Sequence, residues 1–217
     1  MIAGVMPIMN FPKAPEMVND LSKYIDVLIL RYDQNNGDEN ILSDCWSTYP
    51  ESDKLDRDVR KWNKWNTLDN PSKTIRDTQK WNRWNWRELM IRALDEIKPD
   101  YVLALDEDEK YGPGFEEDFK NFQDSGLPFM LFDYEMVTED NRPVKKYPGA
   151  RHCKAFKWME GITYTPHYKG YAMPHFPSYI IPVPDYYNNR FIAKSKIQHY
   201  CFYTKEMEES KLQHLHK

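Results

Sequence analysis

Three short apolar runs, each cut off by polar residues, set the limits on what this chain can fold into. Ile2-Ala3-Gly4-Val5-Met6-Pro7-Ile8 is too short to be a helix and is punctuated by proline, so it reads as a buried strand. Residues 13–24 carry Met17, Val18, Leu21 and Tyr24 at helical spacing, with Pro15 in what would be the first turn. Asp26-Val27-Leu28-Ile29-Leu30-Arg31-Tyr32 is a second buried strand, running into the polar turn Asp33-Gln34-Asn35-Asn36-Gly37-Asp38. Strand, helix, strand is a βαβ signature, which predicts an α/β fold with a parallel sheet.

A third run, Tyr101-Val102-Leu103-Ala104-Leu105, follows a helical stripe (Trp86, Leu89, Met90, Ala93, Leu94, Ile97) that Pro99 stops. Residues 115–123 predict another helix and 128–134 another strand. Beyond that the pattern weakens into Pro- and Tyr-rich sequence, expected to be loops and edge strands. The tail from Thr204 is charged and predicts a helix. No linker or composition break divides the chain, so one domain over 1–217 is expected.

Composition excludes several classes. Aromatics at 15% are far too many for a disordered chain. The net charge of -4 excludes a uniformly basic nucleic-acid binder. No apolar run approaches membrane-spanning length, and no secretory signal is visible. Cys45, Cys153 and Cys201 are widely spaced and odd in number, which predicts thiols in a reducing cytoplasm.

Charge is unevenly spread. Residues 57–92 hold ten basic and four acidic residues, a local +6 that leaves the remainder at -10. Five of the seven tryptophans lie there, and Lys61-Trp62-Asn63-Lys64-Trp65-Asn66 nearly recurs as Lys80-Trp81-Asn82-Arg83-Trp84-Asn85. Tryptophan faces stack on sugars or unpaired bases, and lysine and arginine hold phosphates. The bland alternative is that these tryptophans pack into the core.

The chemistry concentrates where the third strand ends, at Leu105-Asp106-Glu107-Asp108-Glu109. Ligands of open α/β sheets sit at the carboxyl ends of strands. Two carboxylates two residues apart repel unless a hard cation joins them, and such an ion takes one or two carboxylates plus substrate phosphates.

The stretch from Trp86-Arg87-Glu88-Leu89 through Pro99-Asp100-Tyr101-Val102-Leu103-Ala104-Leu105 to Asp106-Glu107-Asp108-Glu109 resembles the family 2-like glycosyltransferases of the GT-A fold, with their D-x-D-E motif. Ile197-Gln198-His199-Tyr200, with Lys205-Glu206-Met207 after it, resembles the segment where such enzymes set a histidine facing the metal. The chain departs from the family in having Asp33 to Asp38 where a D-D/G-S-T-D loop is usual.

The resemblance implies a mainly parallel central sheet flanked by helices, with a Rossmann-like nucleotide-sugar-binding half over 1–110 and an acceptor half over 111–217. It implies a cytoplasmic, metal-dependent enzyme that moves a sugar from a nucleotide-sugar donor, a UDP-sugar first, to a hydroxyl acceptor, with inversion. Asp108 would ligate Mn²⁺ or Mg²⁺, Asp106 the ribose or a metal-bound water, and His199 would complete or face the metal shell. Asp33 would contact the nucleobase and Arg87 the nucleotide. A carboxylate base is needed for the acceptor proton, and Glu160 is favoured over Asp133. The acceptor would be a hydroxylated base in DNA, as for a phage-type DNA-modifying enzyme, or a polysaccharide or lipid-linked glycan. The rival readings are a two-metal nuclease or phosphotransferase and a non-enzymatic, aromatic-rich nucleic-acid or glycan binding module.

Overall fold

The computed structural model of the chain describes residues 1–8, 11–32, 39–48, 94–138, 142–143, 151–164, 174–175 and 189–202. The Trp-rich stretch 57–92, the loop with Asp33, Arg87 and the charged tail lie outside these residues.

The N-terminal unit forms as expected, with β1 (Ile2–Ile8), α1 (Ala14–Ser22) and β2 (Val27–Tyr32). Pro15 sits in the first turn of α1, where a missing N–H costs nothing, and Met17, Val18 and Leu21 are buried. A helix not anticipated by the sequence pattern, α2 (Glu39–Thr48), follows. The chain then forms β3 (Tyr101–Ala104), β4 (Glu109–Tyr111), α3 (Phe115–Ser125), β5 (Phe129–Thr138) and β6 (His152–Lys157). A small pair, β7 (Thr163–Tyr164) and β8 (Pro174–His175), precedes the long β9 (Arg190–Phe202).

Alternation assigns each strand's side chains to two cores. Met6, Ile8, Leu28, Leu30, Leu103 and Leu105 face α1 and α3. Ala3, Val5, Val27, Ile29, Val102 and Ala104 face the other way, onto Leu94, Trp158 and Ile162. Strands buried on both faces read as continuous apolar runs, which is why these three were visible in the sequence.

The expected mainly parallel sheet flanked by helices is not what forms. The seven strands lie in the order β2-β1-β3-β6-β5-β9-β4. The β1–β2, β1–β3 and β5–β9 pairings are parallel, whereas β3–β6, β5–β6 and β4–β9 are antiparallel. The three helices pack against one face, and the other has only a helical turn at 94–97 among the described residues. Local patterning identifies a strand but not its direction, which its connections decide.

One link bends this sheet. Only Leu105 to Asp108 separate β3 from β4, yet three strands lie between them. Laid flat, four spacings of ~4.8 Å would part β3 and β4 by about 19 Å. The connecting chain reaches about 17 Å even fully extended, and here it is turned, with the Glu109 N–H donating to the Asp106 carbonyl at 3.0 Å. The sheet therefore curls into a half-barrel that carries β4 back toward β3. After β4 the backbone stays close to β9: the Gly112 N–H donates to the Lys196 carbonyl at 2.8 Å. A Cβ at Gly112 would lie 2.8 Å from that same oxygen, so only glycine fits.

Candidate functional site

The turn Asp106–Glu109 leaves the carboxyl end of β3 and is locked from both sides. Besides the Glu109 N–H bond, the Asp106 N–H donates to Glu109 Oε2 at 2.9 Å. Because Glu109 opens β4 opposite His199 in β9, its side chain is carried inward and is 1% exposed. The acidic run is thus not a uniformly solvated surface patch.

A lysine lies at its centre. Lys154, from β6, is 12% exposed and pairs with Glu109 Oε2 at 2.6 Å and with Asp106 Oδ2 at 3.0 Å. Tyr134, from β5, donates its hydroxyl to Glu109 Oε1 at 2.5 Å, and Tyr111 donates to the Lys154 carbonyl at 2.7 Å. Burial disfavours the charged lysine, but Asp106 and Glu109 more than offset it and hold its pKa well above the ordinary value. Burial pushes the Glu109 carboxyl up, opposed first by Lys154. All three groups bonded to Glu109 are donors, the arrangement a carboxylate requires.

Beside this cluster, His199 Nε2 lies 3.0 Å from Asp108 Oδ2. Burial works against the charged imidazole, yet the Asp108 carboxylate outweighs it and raises the His199 pKa. His199 Nδ1 is buried with no hydrogen-bond partner. The Tyr200 N–H donates to the Asp108 carbonyl at 2.8 Å, so β9 fixes both the turn and the histidine.

Of the expected site residues, Asp106, Asp108 and His199 come together at one end of the sheet, although Asp106 is engaged by Lys154. Asp133 is at the same end: Phe132 pairs with His152 at the start of β6, and Asp133 holds an exposed ion pair with Arg151 at 3.1 Å. Glu160 is elsewhere. β6 runs against β3, so Lys157 lies opposite Tyr101, and the Trp158 N–H donates to the Asp100 carbonyl. The turn bearing Glu160 therefore sits at the opposite end of the sheet, about 20 Å from Asp106 at ~3.3 Å per residue. Asp33 and Arg87 lie outside the described residues.

Lys154, Tyr134 and His152 were not anticipated. The one signal was a lysine between small apolar residues in Cys153-Lys154-Ala155, at a point where the pairing with β5 shifts register. His152 stacks on Tyr134 with centroids 4.2 Å apart and rings 3° from parallel. Burial, helped by the Lys154 charge, lowers its pKa from 6.5 to about 4. The unfolded chain then takes up this proton first as pH falls, so the stability held by neutral His152 is present above 6.5 and drains away between 6.5 and 4. Melting temperature is expected to fall less steeply across that window in His152→Phe, which keeps the stacking and loses the titration. Parallel melting curves would remove His152 from the acid response.

Among the described residues no three His, Cys, Asp or Glu side chains are grouped to hold a metal ion. Asp108 and His199 are two potential ligands, joined through Nε2; the orphaned Nδ1 is on the other side of the ring. A hard cation that takes its remaining ligands from water and substrate phosphates needs only one or two carboxylates; Asp108 is one such group, its Oδ2 here held by His199 Nε2. Cys45 and Cys153 are buried thiols, and among the described residues no helix is long and apolar enough to cross a membrane. No protein-family model matches the chain, and no curated protein is significantly similar to it.

Proposed function

We propose that the chain transfers a sugar from a nucleotide-sugar donor to a hydroxyl acceptor, using a divalent cation held by Asp108 and His199. The observation that carries this reading is the meeting of those two side chains at 3.0 Å across 91 residues of sequence, at the carboxyl end of a central strand. A bound Mn²⁺ or Mg²⁺ would stabilise the negative charge growing on the departing nucleoside diphosphate. Asp108 and His199 hold the cation. Asp106, beside them, orients the nucleotide while Lys154 limits its charge. Asp133, one of the carboxylates at this end of the sheet, would accept the acceptor hydroxyl's proton once released from Arg151. The acceptor class follows from the +6, Trp-rich stretch 57–92, which suits a hydroxylated base in DNA; a base in duplex would have to be flipped out. A glycan is the alternative acceptor.

A second reading has its own support. Lys154 already neutralises Asp106, and a metal-free binding module needs no ion there. Thermal shifts with UDP-, GDP-, CMP- and dTDP-sugars, with and without Mn²⁺, separate the two. A donor at 100 times its Kd is expected to stabilise the chain by about 2.7 kcal/mol, and only with Mn²⁺. No shift with any donor would leave the binding module.

The base assignment has its own check. Asp133→Asn is expected to lower turnover by about 10²-fold or more, and Glu160→Gln to leave it within about twofold because of its distance. The reverse ranking in a diphosphate-release assay would return the role to Glu160.

A further inference from the structure

The acidic turn carries a cation of its own, fixed in place by the sheet. Lys154 belongs to a strand hydrogen-bonded on both sides, to β3 and to β5. Its carbonyl is held by Tyr111, and its ammonium is 2.6 Å from Glu109 and 3.0 Å from Asp106. A divalent cation approaching Asp106 therefore meets a like charge that cannot readily swing into solvent. Asp108 is paired instead with His199, 3.0 Å away, whose imidazole, unlike an ammonium, can itself become a ligand.

We propose that Lys154 is a positioning residue that competes with the divalent cation for Asp106, so that the ion enters through Asp108 and His199 and is bound weakly by the protein alone. The inference rests on the cation-dependent reading above. A merely structural role for Lys154 makes the opposite prediction, since loosening the turn would weaken cation binding.

The test is Mn²⁺ titration calorimetry on the full chain without nucleotide. Removing Lys154 alone would strand the buried Glu109 charge, so the principal variant is the double change Lys154→Met with Glu109→Gln. The net charge of the cluster is unchanged, but Asp106 loses its ammonium partner, and the variant is expected to bind Mn²⁺ about tenfold more tightly than the wild type. Loss of the Glu109 charge by itself works against cation binding, so tightening can only come from loss of the ammonium. Lys154→Arg, which keeps the charge, is expected to stay within about threefold of wild type. If the double variant does not fold, Asp106→Asn takes its place: with Lys154 holding Asp106 away from the ion, its loss is expected to leave Mn²⁺ affinity within about threefold of wild type, and a tenfold weakening overturns the role. Mn²⁺ binding by the wild type with equal or weaker binding by the Lys154 variant overturns this role and leaves the cation-dependent reading standing. Absence of Mn²⁺ binding in every chain overturns both.

Discussion

Asp108→Asn is expected to reduce sugar-nucleotide turnover by about 10³-fold or more, the scale on which charge stabilisation at a departing group operates. The substitution keeps the side chain's shape and removes its charge. The turn survives, because the Tyr200 N–H bonds to the main-chain carbonyl of residue 108, and Glu109 closes the turn from its own backbone. The loss is therefore chemical: the anionic partner of His199 goes, and with it the force that raises the imidazole's pKa. Nucleoside diphosphate release in Mn²⁺ measures it. Activity within about tenfold of wild type, or full wild-type activity in EDTA, would reject the assignment.

Lys154→Met has the largest expected effect on stability. It leaves Glu109, 1% exposed, without its paired ammonium, and breaking a buried pair from one side typically costs about 3–5 kcal/mol. Adding Glu109→Gln removes the stranded charge while the amide oxygen still accepts from the Asp106 N–H. The double variant is expected to regain most of the loss, giving a coupling well above 1 kcal/mol in a urea-denaturation cycle. Additive single effects would mean that the pair contributes nothing as a pair.

The sequence shows different parts of this molecule with different clarity. β1, β2 and β3 are legible because both of their faces are buried, and α1 and α3 because their apolar residues recur at helical spacing. β6 is not legible as a strand from its polar ends, His152 and Lys157, and the direction in which it enters the sheet has no local signature. β4 is hidden because Glu109 looks like the last residue of an acidic turn, when pairing with His199 makes it the first residue of a strand. The fold class failed for this reason: βαβ patterning at the N-terminus says nothing about reversed strands further on. At the site, Asp106, Asp108 and His199 could be named beforehand by resemblance. Lys154 could not, since its partners are 45 and 48 residues away: the pairing of β6 with β3 brings Asp106 to it, and the curl of the sheet brings Glu109. Glu160 was favoured by its place late in the chain, a criterion blind to which end of the sheet a reversed strand would deliver it to.

The short span from Leu105 to Asp108 works as a tether. Extra residues there would add slack and shift the two aspartates that the span itself carries. The strands between could then relax toward a plane, drawing Lys154 and His199 away from their carboxylates together. Length at this one segment is thus as much a specification of the site as the identity of any side chain in it, and natural variation should accumulate in the other loops before it is tolerated in this one.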